Sequence, residues 1–106
     1  MSVKLPASIA DFLAADTERD IDKLSRCFTM DAKVQEEHHE YEGLDSIKSW
    51  RARNEARYVV EPLRTAVTER NVRLHARLTG DFPGSPTELD YTFVLVDGKI
   101  SSLQIR

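Results

Sequence analysis

The run Val72-Arg73-Leu74-His75-Ala76-Arg77-Leu78 decides the fold class of this 106-residue chain, because apolar and polar residues alternate in it without a break. Side chains of an extended strand point alternately to its two faces. This period of two therefore buries Val72, Leu74, Ala76 and Leu78 and leaves Arg73, His75 and Arg77 on the opposite side. Working outward, Leu63 to Glu69 and Leu89 to Val96 read as further strands. Residues Gly80 to Pro86 hold two Gly and two Pro in seven positions and form a loop between strands. Asp97-Gly98 is a tight hairpin signal, so Lys99 to Ile105 returns antiparallel to the strand before it.

The first half reads differently. Ile9, Phe12 and Leu13 follow Pro6 at helical spacing and predict a helix over Pro6 to Thr17, and Ile21, Leu24 and Phe28 predict a second ending near Thr29. Ala32 to Tyr41 alternates loosely and is expected to be a strand, with Val34, Glu36 and His38 on one side. After Gly43 and the capping candidate Asp45, Ile47, Trp50, Asn54 and Tyr58 recur at helical spacing and predict a third, longest helix running to Val60. Helices segregated from a run of strands make the chain α+β.

Composition narrows the functional classes. With 106 residues, 41% hydrophobic and 31% charged, the chain fits one globular domain spanning residues 1–106. A net charge of −3 with scattered Lys and Arg offers no footprint for nucleic acid. The single cysteine, Cys27, excludes an intrachain disulfide and is expected to be a buried structural thiol. Neither a secretory signal nor a membrane-spanning run is legible, and the chain is read as cytoplasmic.

The stretch Phe28-Thr29-Met30-Asp31-Ala32-Lys33-Val34, followed by Tyr41, Gly43, Ile47 and Trp50, resembles the hallmark of SnoaL-like domains in the nuclear-transport-factor-2-like superfamily. That resemblance implies a cone-shaped, curved antiparallel sheet with three helices on its concave face, enclosing a small-molecule pocket. The superfamily includes ketosteroid isomerases, polyketide cyclases, epoxide hydrolases, dehydratases and non-enzymatic binding modules, so architecture alone names no reaction. Glu36 falls two residues after the motif valine, where similar isomerases place their general base. The positions corresponding to the isomerases' oxyanion pair read as Phe12 and Thr92, which argues against steroid isomerisation.

The expected catalytic residues are Glu36 and His38, a carboxylate and an imidazole two residues apart on one strand face. Phe12, Trp50, Asp90, Thr92 and Leu103 are expected to contact the ligand, and Leu74, Ala76, Leu78, Val94, Val96 and Ile105 to complete an apolar wall. No metal or organic cofactor is implied. His38, His39 and Glu40 are too nearly adjacent to converge on one ion from a strand. The function expected is cofactor-free proton transfer of isomerase, cyclase or dehydratase type on an apolar carbonyl compound, or else non-catalytic binding of a ligand or partner protein. Because Leu89 to Val96 is apolar on both faces, a homodimer through Tyr91, Phe93 and Leu95 is also expected.

Overall fold

The computed structural model describes residues 4–106. In chain order the elements are α1 (Ala7–Glu18), α2 (Ile21–Arg26), β1 (Phe28–Glu36), β2 (His39–Glu42), α3 (Leu44–Arg53), β3 (Tyr58–Thr68), β4 (Asn71–Gly80), β5 (Thr87–Val96) and β6 (Lys99–Ile105). The strands form one sheet in the order β2-β1-β6-β5-β4-β3. Only the β1–β6 pair is parallel; every other neighbour is antiparallel. The fold is thus α+β, with three helices in the N-terminal half and a mostly antiparallel six-stranded sheet.

Local chemistry explains the element ends. The Asp20 side chain caps α2 by accepting a hydrogen bond from the Lys23 amide at 3.1 Å. Arg19 closes α1 in the left-handed conformation, and its guanidinium donates to the carbonyls of Ala52 and Asn54, tying the end of α1 to the end of α3. Asp97 and Gly98, both at positive φ, make the expected two-residue turn between β5 and β6. Pro62 is tolerated because β3 is an edge strand and bulges between Pro62 and Arg64.

Three expectations require correction. The segment Ala32 to Tyr41 is not one strand: β1 begins at Phe28, and the chain reverses at Glu37-His38, both at positive φ, so that Glu36 pairs with His39 across a two-residue turn. The third helix stops at Arg53 rather than Val60. The carbonyls of Asn54 and Ala56 there accept hydrogen bonds from the Arg51 guanidinium, and Tyr58, Val59 and Val60 join the sheet, which β-branched and aromatic residues favour.

The third concerns which face of β5 is inward. Tyr91 pairs with Leu74 and Phe93 with Val72, so Leu89, Tyr91 and Phe93 share the core face, while Asp90, Thr92 and Val94 face out. Tyr91 and Phe93 are buried in the chain's own core, where Phe93 and Phe28 both meet the Phe12 ring edge-on at 5.9 and 5.5 Å. They cannot form a dimer surface. A one-residue change of register exchanges the two faces of a strand, and burying two aromatic rings outweighs burying Thr92 and Val94. Cys27 is buried as expected, and removal from water pushes its thiol above the ordinary range, which keeps it un-ionised and inert.

Candidate functional site

The core face of the sheet and the inner ends of α1 and α3 leave a cavity of about 620 Å³, which Glu37 of the β1–β2 turn and Phe82, Pro83 and Gly84 of the β4–β5 loop also line. Glu36 reaches it from the last position of β1. Across the sheet Glu36 pairs with Ile105, and Ile105 with Tyr91, so all three side chains rise from one row on one face. Two strand spacings put the Glu36 and Tyr91 Cα atoms about 10 Å apart, with the apolar Ile105 side chain between them as part of the cavity lining.

The Trp50 indole N–H donates to Glu36 Oε1 at 3.2 Å, which leaves Oε2 uncommitted. Burial pushes the Glu36 carboxyl above its usual range; the bond from Trp50 opposes the rise, and the Glu37 and Asp16 charges add to it. Tyr91 is buried and lines the cavity, and burial together with the Asp16 and Glu36 charges pushes its hydroxyl far above the ordinary phenol range. At neutral pH Tyr91 is therefore a neutral hydrogen-bond donor.

Beneath these residues lies a buried polar cluster. The Arg51 side chain is fully buried, and its Nε donates to Asp16 Oδ1 while one terminal nitrogen donates to the Asp16 carbonyl at 2.9 Å. The Tyr58 hydroxyl lies 3.0 and 2.9 Å from the two Asp16 carboxylate oxygens and donates to that group, and the Arg51 guanidinium sits 5.1 Å from the centre of the Tyr58 ring. Burial pushes the Asp16 carboxyl upward, and the charge of Arg51 and the hydrogen bonds from Tyr58 and Arg51 work against that rise. Tyr58, desolvated and beside Asp16, is held firmly in its protonated form.

The sequence-expected residues divide. Glu36 and Trp50 line the cavity together. Phe12 is fully buried between Phe28 and Phe93, and Leu103 is 1% exposed in the core between Val34 and Phe93, so neither lines it. Asp90 and Thr92 occupy the outer face of β5, where Asp90 Oδ1 stands 2.7 Å from His75 Nδ1. His38 is exposed in the β1–β2 turn and is not pleated beside Glu36. It lines a second cavity, of about 410 Å³, which Glu36 also borders.

The sequence does not mark Asp16, Arg51, Tyr58 or Tyr91 as site residues: its pattern puts Tyr58 in the third helix and Tyr91 on a dimer surface, and Asp16 and Arg51 leave only a trace. Asp16 continues the stripe Ile9, Phe12, Leu13 at i+7, and Arg51 stands at i+4 in the stripe begun by Ile47 and Trp50. Opposite charges occupying core positions of two helices are a legible sign of a buried pair. Among the described residues no three His, Cys, Asp or Glu side chains converge to hold a metal ion, and no helix is long and apolar enough to cross a membrane.

Three solved structures share this fold. A protein of Sinorhizobium meliloti, provisionally assigned as a polyketide cyclase, is 38% identical over 96% of this chain and 95% of its own, with a TM-score of 0.88. A Catenulispora acidiphila protein with a ketosteroid-isomerase-like fold, crystallised with trimethylamine, is 20% identical over 97% of this chain and 86% of its own, with a TM-score of 0.85. An epoxide hydrolase of M. tuberculosis is 14% identical over 94% of this chain and 79% of its own, with a TM-score of 0.79. The last two show likeness of fold alone. No family model and no curated protein matches the chain.

Proposed function

The chain belongs to the nuclear-transport-factor-2-like superfamily, and on that premise we propose that its cavity performs cofactor-independent proton transfer on an apolar, carbonyl-containing small molecule, with Glu36 as the acid and base. The observation that carries this reading is a half-buried carboxyl, pushed upward by desolvation, with one oxygen held by Trp50 and the other uncommitted at a cavity wall. Glu36 takes a proton from carbon next to the carbonyl, Tyr91 donates a hydrogen bond to the oxygen as it gains negative charge, and Glu36 returns the proton to the product. Leu78, Leu89 and Ile105 provide an apolar wall.

The test is exchange of α-hydrogens from apolar ketones into deuterated water, followed by NMR. Wild type accelerates exchange, and Glu36→Gln, with an unchanged circular dichroism spectrum, loses on the order of 10²–10⁴-fold of it. Equal rates for the two proteins overturn the reading. A second reading, a binding module without turnover, is favoured by one observation: the Catenulispora acidiphila protein holds a small ligand within the same fold. Wild-type binding of ketones with no exchange above buffer would decide for it.

A further inference from the structure

The chain's aromatic residues are sorted by type. Three of its four Phe, Phe12, Phe28 and Phe93, interlock in the core, whereas its one Trp and all three Tyr line the cavity with Phe82. Indole and phenol rings present electron-rich faces, and a cation held against them is attracted most strongly where water is excluded. Tyr41 and Trp50 pack with ring centres 5.9 Å apart on one side of the cavity, and Tyr58 and Phe82 meet edge-on at 6.2 Å on another.

The polar atoms follow the same bias. Tyr58 commits its proton to Asp16 and its ring to the Arg51 guanidinium. The Glu36 oxygen not bonded to Trp50 is an acceptor at the cavity wall, beside the rings of Tyr41 and Trp50. Opposing them are the neutral donors Tyr91 and the Asn54 amide, and Arg53, which is exposed at the rim. Arg51 spends its donors on Asp16 and on the carbonyls of Asn54 and Ala56, and the Asp16 carboxylate offsets its charge. A ligand entering this space meets the faces of Tyr41 and Trp50 and the Glu36 acceptor, and among the described residues the buried cation nearest it, Arg51, is paired with Asp16.

We propose that the ligand of this cavity bears an alkylammonium head, seated against Trp50 and Tyr41, with its N–H groups on the Glu36 carboxylate. The apolar remainder lies along Leu78, Leu89 and Ile105. The inference rests on the cavity being the ligand site, as the proposed function also holds, and it differs in the charge of the ligand: an ammonium on Glu36 holds the oxygen that proton abstraction uses, so such a ligand competes with the ketone.

Three probes of one shape test it by titration calorimetry on the full chain: cyclohexylammonium, cyclohexanol and cyclohexanecarboxylate. The ammonium binds at least about tenfold more tightly than the alcohol, and the carboxylate more weakly than either. Glu36→Gln and, separately, Tyr41→Leu each reduce the ratio of ammonium to alcohol affinity by about three- to tenfold, with thermal melts confirming a folded chain. Tyr41 is only partly buried, so its variant remains informative if Glu36→Gln fails to fold. Ammonium affinity equal to or below that of the alcohol, or a ratio unmoved in both variants, overturns the proposal, as does no binding by any probe. If the ammonium preference holds and ketone exchange is absent, the catalytic reading alone fails. If exchange depends on Glu36 while alcohol and ammonium bind alike, the ammonium inference alone fails.

Discussion

Replacing Arg51 by Met removes the guanidinium but keeps a side chain of similar length for the apolar packing of its stem. The Asp16 carboxylate then loses its ion pair and keeps only Tyr58, and the carbonyls of Asp16, Asn54 and Ala56 each lose a donor. Breaking a fully buried pair by removing one partner costs about 3–5 kcal/mol, because the remaining charge stays desolvated. Small domains have only roughly 5–15 kcal/mol of stability in total. At about 4–8 °C per kcal/mol for a domain near this size, the melting temperature drops by roughly 12–40 °C. Urea unfolding followed by fluorescence of Trp50, the only tryptophan, gives the free energy directly. Asp16 relieves its isolation by taking up a proton, so the deficit narrows as the pH falls. The double variant Asp16→Leu/Arg51→Met removes both charges and recovers to within about 2 kcal/mol of wild type. An Arg51→Met protein within about 1 kcal/mol of wild type, at neutral pH, would show that the cluster does not hold the floor of the cavity.

Two further outcomes follow from particular contacts. Gly80 pairs with Tyr58, and a Cβ built on it would lie 2.2 Å from the Arg57 carbonyl oxygen and 2.6 Å from the Tyr58 Cα. Gly80→Ala therefore costs about 1–3 kcal/mol in chemical unfolding and displaces Tyr58; a wild-type midpoint contradicts this. On the outer face, hydrogen bonds to Asp90 and Glu88 raise the His75 pKa above 6.5. A raised folded value means that the stability this pairing contributes is present below the unfolded histidine pKa and is lost as pH rises through the folded one. Proton NMR of His75 in Asp90→Asn should show its midpoint moving down, and an unmoved midpoint removes Asp90 as the cause.

The strands were legible where one face of the sheet is apolar and the other polar, as in β4, because period two then fixes the inward face. β5 defeated that reasoning: with Leu89, Tyr91 and Phe93 on one side and Thr92 and Val94 on the other, hydropathy does not choose, and only pairing with Leu74 and Val72 does. The β1–β2 turn was missed because Glu37-His38 lacks the Asn-Gly or Asp-Gly signature of a two-residue hairpin, unlike Asp97-Gly98. That same turn separates His38 from Glu36. Of the site, Glu36 and Trp50 were readable one element at a time. The Asp16, Arg51 and Tyr58 cluster joins residues up to 42 positions apart: helical spacing marks Asp16 and Arg51 as core positions, but no local spacing brings Tyr58 to them.

The account turns on Glu36 being a desolvated carboxyl at the wall of the cavity. Carbon-13 NMR of a chain labelled at glutamate side-chain carboxyls, assigned by comparison with Glu36→Gln and titrated through the acid range, reads this without any substrate. The Glu36 midpoint should lie above 4.5, the ordinary glutamate value, because burial outweighs the Trp50 hydrogen bond. A midpoint at or below 4.5 would mean that the carboxyl is solvated, or stabilised as an anion, and would contradict its role as the proton-transfer group.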